Sequence, residues 1–142
     1  MTVDVSTANL TVLGRTQSEP IDHVECFPAP PGIALVRFRT EELTSRCPVT
    51  DQPDLADLVI EYEPDKFCVE SKSLKLYLWR FRDRAVFAEA LAAEIAGEIL
   101  QTAKPHRVRV VLHQRPRGGI SVEATAELTG AACSATTASA TR

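Results

Sequence analysis

At 142 residues the chain has the length of one domain, and with 44% hydrophobic residues it can bury a core of its own. A net charge of −3 gives no overall pull toward nucleic acid or an anionic membrane. No apolar stretch reaches the roughly 20 residues that span a bilayer, and no basic stretch followed by an apolar one opens the chain, so the expectation is a soluble, cytoplasmic protein without a secretory signal.

Residues 1–20 are polar and carry no clear period, which predicts an arm that orders only against a partner subunit or the domain body. Pro28, Pro30 and Pro31 make a stiff turn, and Ile33 to Phe38 read as a strand. Residues 40–54 read as a loop with Cys47 at its centre. Leu58, Ile60 and Tyr62 alternate with Asp57, Glu61 and Glu63, which predicts a half-buried strand, and Pro64-Asp65 a turn.

Residues 71–82 fit two periods. Leu74, Leu76 and Leu78 alternate, while Leu74, Leu78 and Phe81 recur at helical spacing. Helix is the prediction, because Ser71 can cap it and Lys, Leu and Arg are good helix formers. Residues 84–103 predict a second helix with Asp83 as N-cap, Phe87, Leu91, Ile95 and Ile99 as its apolar stripe, and Pro105 beyond its end. Val108, Val110 and Leu112 mark a strand. The turn Arg115-Pro116-Arg117-Gly118-Gly119 leads to a returning strand at Ile120, Val122, Ala124 and Ala126. From residue 129 the Ala/Ser/Thr composition predicts a disordered tail, leaving residues 21–128 as the domain. The order strand–strand–helix–helix–strand–strand makes an α+β fold, a four-stranded antiparallel sheet with two antiparallel helices on one face. Its exposed sheet edges call for partners.

The cysteines are Cys26, Cys47, Cys68 and Cys133. None is spaced as C-x-x-C and no His-x-x-x-His accompanies them, so neither a zinc site nor a disulfide framework is expected. Cys68, between Phe67 and Val69, reads as a buried small hydrophobe, Cys26 as half-buried at a strand edge, and Cys133 as part of the tail. Cys47 differs, because Asp54 follows seven residues later in a turn with two prolines. A carboxylate folded back onto a thiol can take its proton while the sulfur attacks an electrophilic carbon. By residue type alone the same residues read first as a buried loop cysteine and a strand-capping aspartate, since single cysteines are usually unreactive.

On a helix starting near Ser71, Lys72, Lys75, Trp79 and Arg82 lie near one face. This basic stripe carrying an indole suits an anionic phosphate ligand, or is simply a solvated face. There is no glycine-rich dinucleotide fingerprint, so a nucleotide would not sit in a Rossmann site. Glu89 by itself reads as a solvated helix residue.

Four runs carry a resemblance. Cys47, Pro48, Thr50, Gln52, Pro53 and Asp54 fit Cys-Pro-x-Thr-x-Gln-Pro-Asp. Glu70, Ser71, Lys72, Ser73, Leu74 and Lys75 fit Glu-Ser/Leu-Lys-Ser/Ala-apolar-Lys. Phe87 and Glu89 fit Phe-His-Glu, and Pro116 to Ile120 fit Pro-Arg-Gly-Gly-Ile. Over roughly residues 33–128 the chain thereby resembles the QueF family, the nitrile reductases of queuosine biosynthesis. The resemblance implies the tunnelling fold, NADPH as cofactor, and reduction of the nitrile of 7-cyano-7-deazaguanine to 7-aminomethyl-7-deazaguanine. It gives Cys47 the covalent thioimide and Asp54 the proton transfers. Glu89, Phe87, Glu70 and Ser71 would hold the substrate, a small deazapurine nitrile, and Lys72, Ser73, Lys75 and Arg117 the NADPH. It also implies a homodecamer of two pentamers with sites between subunits, and no nucleic acid, membrane or metal.

The chain departs from the family pattern twice. Asp51 stands where glycine is common, and Ala88 replaces a histidine suited to proton transfer. His106 and His113 are candidate substitutes. The lost histidine leaves room for two alternatives: an amidinotransferase that adds ammonia to the same thioimide, or a non-catalytic deazapurine-binding module. A pteridine cyclohydrolase of the same fold would need a metal-ligand set that the sequence does not show.

Overall fold

The computed structural model describes residues 10–13 and 19–130. Of the expected arm over residues 1–20 it describes 10–13, 19 and 20. The tail from 131 onward, with Cys133, lies outside the described residues. Six strands and two helices follow in order: β1 (Cys26–Pro28), β2 (Val36–Arg46), β3 (Pro53–Glu63), β4 (Phe67–Val69), α1 (Ser71–Trp79), α2 (Ala88–Ala103), β5 (Arg107–Arg117) and β6 (Ile120–Thr129). A 3₁₀ turn, Arg80–Asp83, joins the helices.

The four long strands form one antiparallel sheet in the order β2-β3-β5-β6. Alternation decides its faces. Leu58, Ile60 and Tyr62 of β3 and Val108, Val110 and Leu112 of β5 point to one side and are buried there under α2, whose stripe is Leu91, Ile95 and Ile99 with Ala92, Ala96 and Ala103. α2 lies over β5 and β6, and α1 with the 3₁₀ turn lies over β2. The opposite face carries charge ladders, Arg37 to Glu61 at 2.5 Å, Arg107 to Glu127 at 2.7 Å and Arg115 to Asp57 at 3.1 Å. Among the described residues both outer strands, β6 and β2 up to its last residue, present an edge with no strand partner.

Several expectations are corrected. The loop foreseen over 40–54 is mostly strand: β2 runs to Arg46 and β3 begins at Pro53, leaving a six-residue turn. A bulge between Thr40 and Leu43 interrupts the alternation of β2, which hides it from period counting. β1 and β4 pair as a small second sheet that was not foreseen, Cys26 opposite Val69. The cap of α1 is Glu70 rather than Ser71, its carboxylate accepting from Lys72 N at 2.7 Å and Ser73 N at 2.8 Å. Asp83 closes the 3₁₀ turn instead of capping α2, which starts at Ala88 with Phe87 as its N-cap, so Phe87 is exposed and not part of the apolar stripe.

Candidate functional site

The β2–β3 turn is closed by two backbone bonds, Cys47 N–H to Gln52 O and Asp51 N–H to Cys47 O, both 2.9 Å. The second forces Asp51 to φ 60°, the left-handed region that glycine enters without strain, and this is why glycine suits the position. Cys47 is half-buried and free. The Thr50 hydroxyl first, then the Thr50 and Val49 backbone N–H groups and the Arg117 guanidinium, hydrogen-bond to its sulfur and lower the thiol from 9.0 to about 7. The other described thiols shift the opposite way. Burial pushes Cys26 up to about 11 and raises Cys68 as well.

Asp54 is the second residue of β3, opposite Ser45, and it is buried on the helix side of the sheet. Cys47 stands opposite Gln52, so it is diagonal to Asp54 across the hairpin, a relation that places residues roughly 7–8 Å apart. Arg117 closes the gap. Its Nη1 lies 3.1 Å from Asp54 Oδ1, and its Nη2 donates to Thr50 Oγ1 at 3.3 Å. The position is fixed by a tight turn: Arg117 pairs with Ile120 across Gly118 (φ 59°) and Gly119 (φ 80°), two left-handed residues as a type I′ hairpin requires.

A third segment arrives without any sequence signal. Arg46 N–H donates to Arg84 O at 2.9 Å and Val86 N–H to Arg46 O at 3.1 Å, a parallel bridge between Arg46 and Ala85. It sets the start of α2 beside Cys47. Phe87 and Glu89 are exposed there, Ala88 is buried, and Glu89 has no hydrogen-bond or ion-pair partner among the described residues. Neither histidine substitutes for the missing one within the protomer. His106 precedes β5 while Arg117 ends it, a separation on the order of 30 Å along an extended strand. His113 lies on the sheet face away from the helices, near Asp57.

The Glu70–Lys75 run is built around the start of α1. Ser73 is fully buried, donating to Glu70 O and accepting from Glu25 N–H, both at 2.8 Å. Its expected contact with a cofactor is therefore not made by its hydroxyl in this protomer. Lys72 donates from Nζ to Val12 O at 2.6 Å, and Glu25 accepts from Thr11 N–H at 2.9 Å, so residues 10–13 are tied to the domain body. The predicted basic stripe is thus divided. Lys75, Trp79 and Arg82, with Ser71 and Arg39, line a groove of about 670 Å³ between α1 and β2. The Arg82 guanidinium sits 4.4 Å above the Trp79 ring. That groove stops at Thr44, and Cys47, Asp54 and Glu89 do not line it. No cluster of three or more His, Cys, Asp or Glu among the described residues is placed to hold a metal ion.

The family model for the QueF-like protein matches residues 53–132, more than half of the chain. The chain belongs to the QueF-like family. A QueF-like relative from Chelativorans sp. (strain BNC1), named NADPH-dependent 7-cyano-7-deazaguanine reductase, is 44% identical over 124 residues, which cover 82% of this chain and 81% of the relative. A protein of the same name from Nitrosococcus oceani is 42% identical over 112 residues, 78% of this chain and 87% of its own. Among solved structures, the apo form of an archaeosine synthase QueF-Like superposes with a TM-score of 0.64 at 27% identity, covering 68% of this chain and 95% of that one. The α+β layout expected from element order and the tunnelling fold implied by the resemblance are the fold this QueF-like chain has.

Proposed function

We infer that the protein is an NADPH-dependent reductase that converts the nitrile of 7-cyano-7-deazaguanine to the aminomethyl group. The observation that carries this reading is the Cys47 thiol, lowered to about 7 in a turn that Arg117 bridges to Asp54, in a chain 44% identical to a protein of that name.

The thiolate adds to the nitrile carbon, the nitrile nitrogen takes a proton, and a thioimide links Cys47 to the substrate. Asp54, buried at the mouth of the turn, carries protons to and from that nitrogen. The exposed Glu89 carboxylate accepts two N–H bonds from the deazaguanine edge, and the exposed Phe87 ring packs on its face. Bound NADPH supplies one hydride to each of the two reductions of the former nitrile carbon, and Cys47 leaves as thiolate between them. The groove fits such a cofactor, since Arg39, Lys75 and Arg82 offer three cations to phosphates and Trp79 offers a ring face. Glu70 shapes α1 from inside, while Ser71 lies at the groove surface within reach of ligand.

The complete site is assembled between subunits, and we assign a homodecamer of two pentamers. Three features support an interface. Two sheet edges are open, the Cys47 turn and the Lys75 groove do not share a cavity, and Val49 (79% exposed), Ile120 (72%), Phe87 (57%) and Leu55 (46%) present apolar surface. The partners are therefore a small deazapurine nitrile and further copies of this chain rather than nucleic acid. No helix among the described residues is long and apolar enough to cross a membrane. A reduced thiol at Cys47 suits the cytoplasm.

The test is to mix protein, 7-cyano-7-deazaguanine and NADPH and follow reduced-nicotinamide absorbance. Consumption that disappears in Cys47→Ala supports reduction. A covalent adduct without NADPH consumption favours addition of ammonia, and binding without adduct favours a non-catalytic module.

A further inference from the structure

Charged groups surround the Cys47 turn from every packed element. Arg46 and Asp51 pair with each other at 3.3 Å, Arg84 turns away to Glu94, and Glu89 opens α2. Asp54 on β3 and Arg117 on β5 remain. Arg117 touches both sides of the turn, with Nη1 at 3.1 Å from Asp54 Oδ1 and Nη2 donating to Thr50 Oγ1. Nη1 and Oδ1 are buried, and neither has a hydrogen-bond partner among the described residues. The Arg117 side chain is partly exposed, but its Nη1 is buried against the buried Asp54 carboxylate, and moving it away would leave that carboxylate without its counter-charge. The Thr50 oxygen accepts from Arg117 and from Gln52 N–H at 3.4 Å, so its one proton is shared between the Cys47 sulfur and Gln52 Oε1, also at 3.4 Å.

We propose that Arg117 is a positioning residue for Cys47, its guanidinium clamping the Thr50 hydroxyl and the Asp54 carboxylate so that the sulfur faces the carbon and the proton carrier the nitrogen of one nitrile. The proposal deepens the reductase reading and rests on it for the reaction, though not for the clamp. It gives Arg117 a task inside its own protomer, in place of the cofactor phosphate that family resemblance implies for it.

The test uses the full chain without nitrile or NADPH. Iodoacetamide alkylation is measured against pH, with Cys47 modification read from its peptide by mass spectrometry. In the wild type the rate is half-maximal near pH 7. In Arg117→Met the midpoint moves to about pH 8, a roughly tenfold loss of thiolate in mildly acidic buffer, and Arg117→Lys recovers most of it. With substrates present, kcat falls in Arg117→Met while the KM for NADPH holds. An unchanged alkylation profile together with a raised KM for NADPH would make Arg117 a cofactor anchor and overturn the proposal. Should Arg117→Met fail to fold by circular dichroism, Thr50→Val carries the test, and an unshifted profile there also overturns it. Because the profile needs no substrate, it stands or falls separately from the identity of the nitrile.

Discussion

Arg46 and Ala85 pair as a parallel bridge, and through it the end of β2 and the start of α2 become neighbours. Cys47 follows the first of these residues, and Phe87 to Glu89 follow the second. One pair of backbone hydrogen bonds therefore brings the nucleophile and the proposed base-binding carboxylate to the same end of the sheet, although 42 positions separate them in the chain.

The depressed thiol sets the pH dependence. With Cys47 lowered from 9.0 to about 7, thiolate is present above that pH and lost as pH falls through it. The acidic limb of kcat/KM for the nitrile should therefore bend near pH 7. A limb bending near 9 would mean that the Thr50 and Val49 donors do not act on the sulfur.

Glu70 is proposed as a substrate residue, yet its carboxylate caps α1. Glu70→Ala should lower stability by about 0.5–2 kcal/mol, the usual cost of a lost N-cap. Denaturant melts without ligand check this. An unchanged midpoint would remove the capping role and leave only ligand contact.

Asp51 stores strain at φ 60°. Asp51→Val, whose branched side chain resists the left-handed region, should destabilise by about 1–3 kcal/mol. Asp51→Gly should leave thermal stability within about 1 kcal/mol, since the exposed Arg46 pair it removes is worth little.

Lys75 separates cofactor from nucleophile. Lys75→Ala removes one charge-assisted contact, worth about 1.5–3 kcal/mol. The KM for NADPH should rise about tenfold or more while adduct formation on Cys47 is unaffected. Steady-state kinetics beside an intact-mass assay check both halves.

Much of this was legible in the sequence. The alternation of Leu58, Ile60 and Tyr62 and the stripe of Leu91, Ile95 and Ile99 are local periods, and each lies where the pattern puts it. Residues 40–46 did not read as strand because the bulge at Glu41-Glu42 breaks the period and most of their side chains are polar. The helix over 71–79 is right for a different reason than Ser71. A buried glutamate caps it, and Leu74 and Tyr77 form its inner face, continued by Phe81 of the 3₁₀ turn. Within the site, the sequence put Cys47 and Asp54 in one turn, while their shared role came from the resemblance and not from the spacing. The Arg117 clamp and the Arg46–Ala85 bridge depend on strand order and on where the 3₁₀ turn ends, which no local pattern encodes. Lys72 illustrates the same limit: helical spacing places it with Lys75, but Val12 draws its ammonium toward the N-terminal segment.

Covalent capture on Cys47 is the step everything else serves, and peptide mass mapping reads it directly. Protein incubated with 7-cyano-7-deazaguanine in the absence of NADPH should gain the mass of one nitrile on the peptide that holds Cys47. That gain should vanish in Cys47→Ala and on addition of NADPH. An unmodified Cys47 peptide at saturating nitrile, or label confined to another cysteine, would contradict the account.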